Sequence, residues 1–154
     1  MAPVAVAVFA TRSVQGVVTF ANRKVGIFVD ATFTKLPPGN HGFHIHQAGD
    51  LRGEGCKLAC DHFHVGPEQT HGGPPGFKGP RHAGDLGNIF MTNTDSKRYI
   101  YILHGFKAED LWGRSVIVHA DKDDYGQGGN DGSLKTGNSG ERIACAVIGR
   151  AAGN

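Results

Sequence analysis

The chain has 154 residues, enough for one domain around one core, and its 39% hydrophobic and 19% charged content excludes the disordered and coiled-coil classes. Its 24 glycines, spread along the chain, argue for many turns and against long helices. A formal net charge of +2 with no dense basic run gives no ground for a nucleic-acid or membrane partner.

The apolar start, Met1 to Ala10, has no basic segment before it, is too short to span a membrane and lacks the layout of a secretory signal. It reads as a first strand over 3–10, and the expected location is cytoplasmic. Val-rich strands follow over 14–21 and 25–33, with Asn22-Arg23-Lys24 as the turn between them, as in an antiparallel meander. Leu36-Pro37-Pro38-Gly39-Asn40 is a rigid turn into a fourth strand, 41–47. From 48 to 83 no apolar period survives. That stretch holds eight glycines, four prolines, four histidines and two cysteines, so metal or sulfur bonds are the natural ties for so long a loop. Strand text resumes over 85–91 and over 97–104, where Arg98-Tyr99-Ile100-Tyr101-Ile102-Leu103 is rich in aromatic and β-branched residues. A short turn over 107–113 precedes a strand over 114–120. A second irregular stretch, 121–142, is rich in Gly, Asn and Asp, and the last strand covers 143–150. Eight short strands and two long loops predict an all-β sandwich or barrel.

Chemistry concentrates on histidine. Strand residues i and i+2 share a face roughly 7 Å apart, so His44 and His46 can grip one ion from one side. In Arg81-His82-Ala83-Gly84-Asp85 a carboxylate follows a histidine by three residues, across a glycine that lets the backbone bend. Imidazole sets suit copper and zinc, and histidine with a carboxylate suits tetrahedral zinc. The odd count of cysteines (Cys56, Cys60 and Cys145) in a cytosolic chain points to free thiols or metal ligands.

Four segments together carry a resemblance: Gly42-Phe43-His44-Ile45-His46; Arg81-His82-Ala83-Gly84-Asp85-Leu86-Gly87-Asn88; Val116-Ile117-Val118-His119; and Gly137-Asn138-Ser139-Gly140-Glu141-Arg142-Ile143-Ala144-Cys145. In this order, over almost the whole chain, they resemble the copper/zinc superoxide dismutases of the eukaryotic cytosolic type. The resemblance implies an eight-stranded Greek-key barrel, copper and zinc as cofactors, and superoxide as substrate. It implies copper ligands at His44, His46, His62 and His119, and zinc ligands at His62, His71, His82 and Asp85, with His62 shared. It further implies that Asp123 ties the two sites together, that Cys56 and Cys145 form a disulfide even in the cytosol, and that Arg142 draws the anion to copper. Lys122, Lys135 and Thr136 fall in the loop expected to steer it.

The chain departs from the pattern at several places. His64 leaves two candidates, His62 and His64, for the shared position; the Cys56-to-His62 spacing favours His62. Cys60 reads as a free thiol, against an inert small residue, a rival partner for Cys145 and an adventitious copper ligand. Asp61 stands where proline is usual. Arg150 replaces an apolar residue at the expected homodimer contact and weakens the case for a dimer, which Trp112-Gly113 would have to compensate. A copper chaperone is the other partner the resemblance implies. A metal-storage or chaperone-binding homologue and a zinc-only hydrolase are the competing functions. The full ligand set with Arg142 speaks against the first, and the excess of histidines with no base beside an open zinc position against the second.

Overall fold

The computed structural model describes residues 2–92 and 94–153. Alternation of inward apolar and outward residues builds the first three strands. Strand β1 (Ala5–Ala10) turns Ala5, Ala7 and Phe9 inward and leaves Val8 exposed. In β2 (Gln15–Asn22) Val18 and Phe20 are buried, and in β3 (Ile27–Lys35) Ile27, Val29, Ala31 and Phe33. Strands β4 (His41–His46), β5 (Asp85–Ile89), β6 (Lys97–Leu103), β7 (Ser115–His119), β8 (Arg142–Val147) and β9 (Gly149–Arg150) complete the set.

The strands form two antiparallel sheets, ordered β6-β3-β2-β1-β9 and β5-β4-β7-β8. This is the expected Greek-key sandwich, with one difference. The final strand is divided at Ile148: β8 pairs with β7 in one sheet, and β9 pairs with β1 in the other. The chain thereby changes sheets within a single extended run, and the fully buried Ile148 fills the corner. Between the sheets Phe33 meets Phe43 edge-on at 5.5 Å and lies 5.8 Å from Phe9, a geometry that favours aromatic pairs.

Strand β4 decides where function sits, because all six of its residues are buried. Phe43 and Ile45 face the core between the sheets. His44 and His46 alternate to the opposite face, which is covered by loops instead of a second sheet. The 48–83 loop carries a single 3-10 turn, Lys57–Ala59, and the expected turn near 108 is a second one, Ala108–Leu111. The second irregular stretch contains an element not expected from its composition, helix α1 (Asp131–Thr136). Asn130 caps it by accepting from the Ser133 backbone N–H, and Gly137 ends it in the left-handed conformation. No helix among the described residues is long and apolar enough to cross a membrane.

Candidate metal centre

The predicted ligands converge on the outer face of the β4 sheet. His44 and His46 come from β4, His119 from the end of β7, Asp85 from the start of β5, and His62, His71 and His82 from the long loop. All seven are buried. His62 is drawn in by an isolated bridge to His46 and by the Phe63 N–H, which donates to the Ile45 carbonyl at 2.8 Å. His64, the other candidate for the shared position, is only half-buried, and its Nδ1 reaches the Gly66 carbonyl instead. The ring of His62 is 4.1 Å from that of His44 and 5.2 Å from that of His82, so His62 lies between the two groups.

His44, His46, His71 and His119 each have one nitrogen held by the protein and one turned to the cluster, whereas both nitrogens of His62 face it. His46 Nδ1 donates to the Cys60 carbonyl (2.8 Å), His119 Nδ1 to the Gly140 carbonyl (3.1 Å) and His44 Nε2 to Asp123 Oδ2 (2.6 Å). What remains is His44 Nδ1, His46 Nε2, His62 Nε2 and His119 Nε2. Of these, His44 Nδ1 and His62 Nε2 are buried with no protein partner. Ligand atoms of His44, His46, His62 and His119 all lie within 4.8 Å of one another, as do those of His44, His62, His71 and Asp85. His82 joins the second group, its Nδ1 lying 3.2 Å from His62 Nδ1 and 3.4 Å from Asp85 Oδ1. Asp85 Oδ1 is 2.8 Å from His62 Nδ1 and 3.0 Å from His71 Nδ1. Zinc bonds of roughly 2.0–2.1 Å in a tetrahedron set ligand-to-ligand edges of roughly 3.3 Å, which these separations approach. The donor sets therefore fit an imidazole-rich copper site and a histidine–carboxylate zinc site.

Electrostatics agree with a site built for cations. Burial, then the neighbouring His62, holds His44 and His46 well below the usual histidine value, and burial brings His119 down to about 4. Burial also lowers His62, though Asp85 opposes it. His71 goes the other way. Burial pulls it down, but the hydrogen bonds it donates to Asp123 and Asp85 outweigh that and raise it to about 9. Burial would raise Asp85, yet three histidine contacts hold its carboxyl far below the ordinary range.

Asp123 joins the two groups. Its Oδ2 accepts from His44 Nε2 at 2.6 Å and its Oδ1 from His71 Nε2 at 2.7 Å. Asn88, which nothing in the sequence spacing marks, holds Asp123 through both of its backbone polar groups: its Nδ2 donates to the Asp123 carbonyl (2.9 Å) and its Oδ1 accepts from the Asp123 N–H (2.7 Å). Gly137 is a second residue missed from spacing. At φ +73°, a Cβ there would fall on Asp123 Oδ1 and His71 Nε2, so only glycine leaves that hydrogen bond intact. His41 spans the carbonyls of Pro37 and His119 and pins β4.

Arg142 is half-buried beside this cluster. Its Nη1 donates to the Cys56 carbonyl (2.8 Å) and its Nη2 to the Cys60 carbonyl (2.7 Å). Cys56 is bonded to Cys145, which leaves Cys60 free and exposed. The steering loop is less uniform than expected. Lys122 is exposed, whereas the Thr136 hydroxyl donates back to the Gly132 carbonyl within α1 (3.2 Å). Lys135 lines a recess over His62 and His82, while Arg142 borders a different one with Glu54, Lys57 and Glu141.

The copper/zinc superoxide dismutase family model matches residues 14–148. A Cu-Zn superoxide dismutase of Paramecium bursaria Chlorella virus 1 is 48% identical over 147 residues, covering 92% of this chain and 75% of that protein. Copper chaperones for superoxide dismutase from Rattus norvegicus and Sus scrofa are 41% and 42% identical, and the chain spans 50% of the length of each. The crystal structure of the clock protein EA4 superposes with a TM-score of 0.85 at 37% identity, covering 98% of this chain and 97% of that one. With its sheets, paired histidine groups and family match in agreement, the chain belongs to the copper/zinc superoxide dismutase family.

Proposed function

We propose that the protein disproportionates superoxide, with copper held by His44, His46, His62 and His119 and zinc by His62, His71, His82 and Asp85. The observation that carries this reading is the division of His62: Nδ1 points to Asp85 and His82, and Nε2 is buried without a partner on the side of His44, His46 and His119. When bound, copper would supply one-electron exchange with superoxide, which zinc cannot; zinc would order the long loop. In the net reaction two superoxide anions and two protons become dioxygen and hydrogen peroxide. Arg142, fixed by two carbonyls, presents a cationic fork that orients the anion. His62 Nε2 is the atom placed to hold and pass a proton. Asp123 keeps His44 and His71 in the tautomers that turn Nδ1 toward the metals.

The similarity to copper chaperones supports a second reading, a metal donor. The two separate in one preparation loaded with copper and zinc. A dismutase quenches superoxide catalytically at a rate that falls with ionic strength; a donor at full copper occupancy quenches none and surrenders copper to an acceptor. The first reading further places the protein in the cytoplasm, loaded by a copper chaperone. It also allows a homodimer through the face carrying Trp112, with Arg150 exposed at its edge.

A further inference from the structure

Strand β6 ends its sheet and pairs only with β3. Every second residue of such a strand turns its N–H and carbonyl away from the sheet. The start of this free edge is closed, because the Tyr99 hydroxyl donates to the Phe90 carbonyl at 2.9 Å and accepts from the Phe90 N–H at 2.8 Å. Farther along, among the described residues, the backbone of 100–104 bonds to no element but β3. That stretch lines a recess of 530 Å³ together with Pro75, Gly76 and Arg81 of the long loop.

Arg81 gives the recess its sign. Its Nε donates to the Gly73 carbonyl (3.1 Å) and its Nη2 to the Asp85 carbonyl (2.6 Å). Arg98, exposed on β6, is paired with Asp30 at 2.7 Å, whereas the half-buried Arg81 has no ion-pair partner among the described residues. No acid lines the recess. Burial lowers the Arg81 pKa despite the field of Asp85, as expected of a guanidinium short of counter-charge. Tyr101, in the same wall, keeps a buried hydroxyl without a partner.

We infer that this recess docks an extended acidic segment of a partner protein, which adds a strand to the 100–104 edge and sets a carboxylate against Arg81. The edge supplies main-chain bonds whatever the partner's sequence, and the guanidinium fork selects the acid. A second copy of this chain is the poorer occupant. Strand β6 holds Lys97 and Arg98 and no acid, so pairing edge to edge would bring cations to Arg81.

The experiment titrates metal-loaded full-length protein with a short capped peptide alternating valine and glutamate, and with its glutamine counterpart, while NMR follows the amides of β6. The glutamate peptide should bind roughly tenfold tighter at low salt, the scale of one charge-assisted hydrogen bond, and lose that margin as salt rises. Binding should slow hydrogen exchange at amides within 100–104. Arg81→Gln should make the two peptides equal. The margin is read first on the unaltered protein, so the result stands even where the variant loses zinc. Equal binding of the two peptides by the unaltered protein overturns the acidic partner. Protection of the β5 or β9 edge in place of 100–104 overturns the dock, as does full displacement of the peptide by acetate at matched carboxylate concentration, which would leave only a small-anion pocket. Exchange at 100–104 that is already slow without peptide and quickens on dilution would give the edge to a second copy and overturn the inference as well.

Discussion

Arg142 and His46 meet at one atom. The Cys60 carbonyl oxygen accepts from Arg142 Nη2 at 2.7 Å and from His46 Nδ1 at 2.8 Å, so the proposed anion-binding cation and a proposed copper ligand are registered against the same peptide unit. Cys60 adopts φ +68° and ψ −152°, a positive-φ conformation uncommon outside glycine, which aims that carbonyl.

Replacing Arg142 should therefore affect the anion first. Arg142→Ala is expected to lower superoxide turnover about tenfold or more, in line with electrostatic steering, while copper stays bound because His46 keeps its carbonyl. Arg142→Lys should recover only part of the rate, since one ammonium cannot reproduce a planar fork on two carbonyls. Turnover and copper content are measured on the same samples. Loss of copper in step with activity would assign Arg142 to holding the loop.

Asp123→Asn tests the link between the two groups. An amide has one acceptor oxygen for the two imidazole N–H groups that the carboxylate now satisfies. Zinc affinity should drop about 10- to 100-fold, because Asp123 holds His71 Nε2 and so turns its Nδ1 toward Asp85 and the zinc group. Chelator competition measures it, and unchanged zinc affinity with weakened copper would reverse the assignment.

The metal-free protein should be most stable near pH 6.5 and lose stability on both sides. Burial brings His119 to about 4 from an ordinary value of 6.5. As pH falls through that interval the unfolded chain binds a proton that the folded one does not, and acid favours unfolding. His71, raised to about 9, acts oppositely: between 6.5 and 9 the folded chain keeps a proton that the unfolded one releases, so stability falls as pH rises. Each shift corresponds to roughly 3 kcal/mol at full effect. Urea unfolding of chelator-treated protein from pH 4 to 9.5 checks this; a curve flat above pH 6.5 would remove the His71 contribution.

The seven expected ligands all lie in the centre: spacing alone singled out His44 with His46 and His82 with Asp85, whereas His62, His71 and His119 were implied by the family resemblance. The strands were legible from Val-rich and aromatic runs separated by polar turns, whereas the inward face of β1, Ala5, Ala7 and Phe9, lies in a run that is apolar throughout and shows only in the structure. Helix α1 was hidden, since six residues are too few to display a helical period, and its evidence lies in Asn130 and Gly137 as caps within a stretch that reads as loop. The change of sheet at Ile148 was hidden too, because both halves of the run are strand and only tertiary pairing separates them. Asn88 and the Cys60 carbonyl act through hydrogen bonds across 35 and 82 residues of chain, which no local spacing records.

Gly137→Ala should damage the centre out of proportion to one methyl. The residue sits at φ +73°, and its added Cβ would strike the Asp123–His71 hydrogen bond. A loss of about 1–3 kcal/mol in the metal-free protein is expected, with weaker zinc binding. Gly149→Ala is the control. No atom lies within 4 Å of the place its Cβ would take and its φ is not left-handed, so the change should stay within roughly 0.5 kcal/mol. Equal effects from both would mean that the Asp123–His71 contact is not the cause.

Cys145→Ser should act on both stability and the anion site. The Cys56–Cys145 bond closes a sequence separation of 89 residues, and removing it is expected to cost about 2–5 kcal/mol. Cys56 also supplies the carbonyl that receives Arg142 Nη1, at 2.8 Å. Freed from β8, that segment would loosen the guanidinium, so turnover should fall with copper still bound. Cys60, exposed and unbonded, should be alkylated in the native protein while Cys56 and Cys145 are not. Non-reducing peptide mapping that joins Cys60 to Cys145 would overturn this arrangement, and it would place the shared carbonyl of His46 and Arg142 on the disulfide itself.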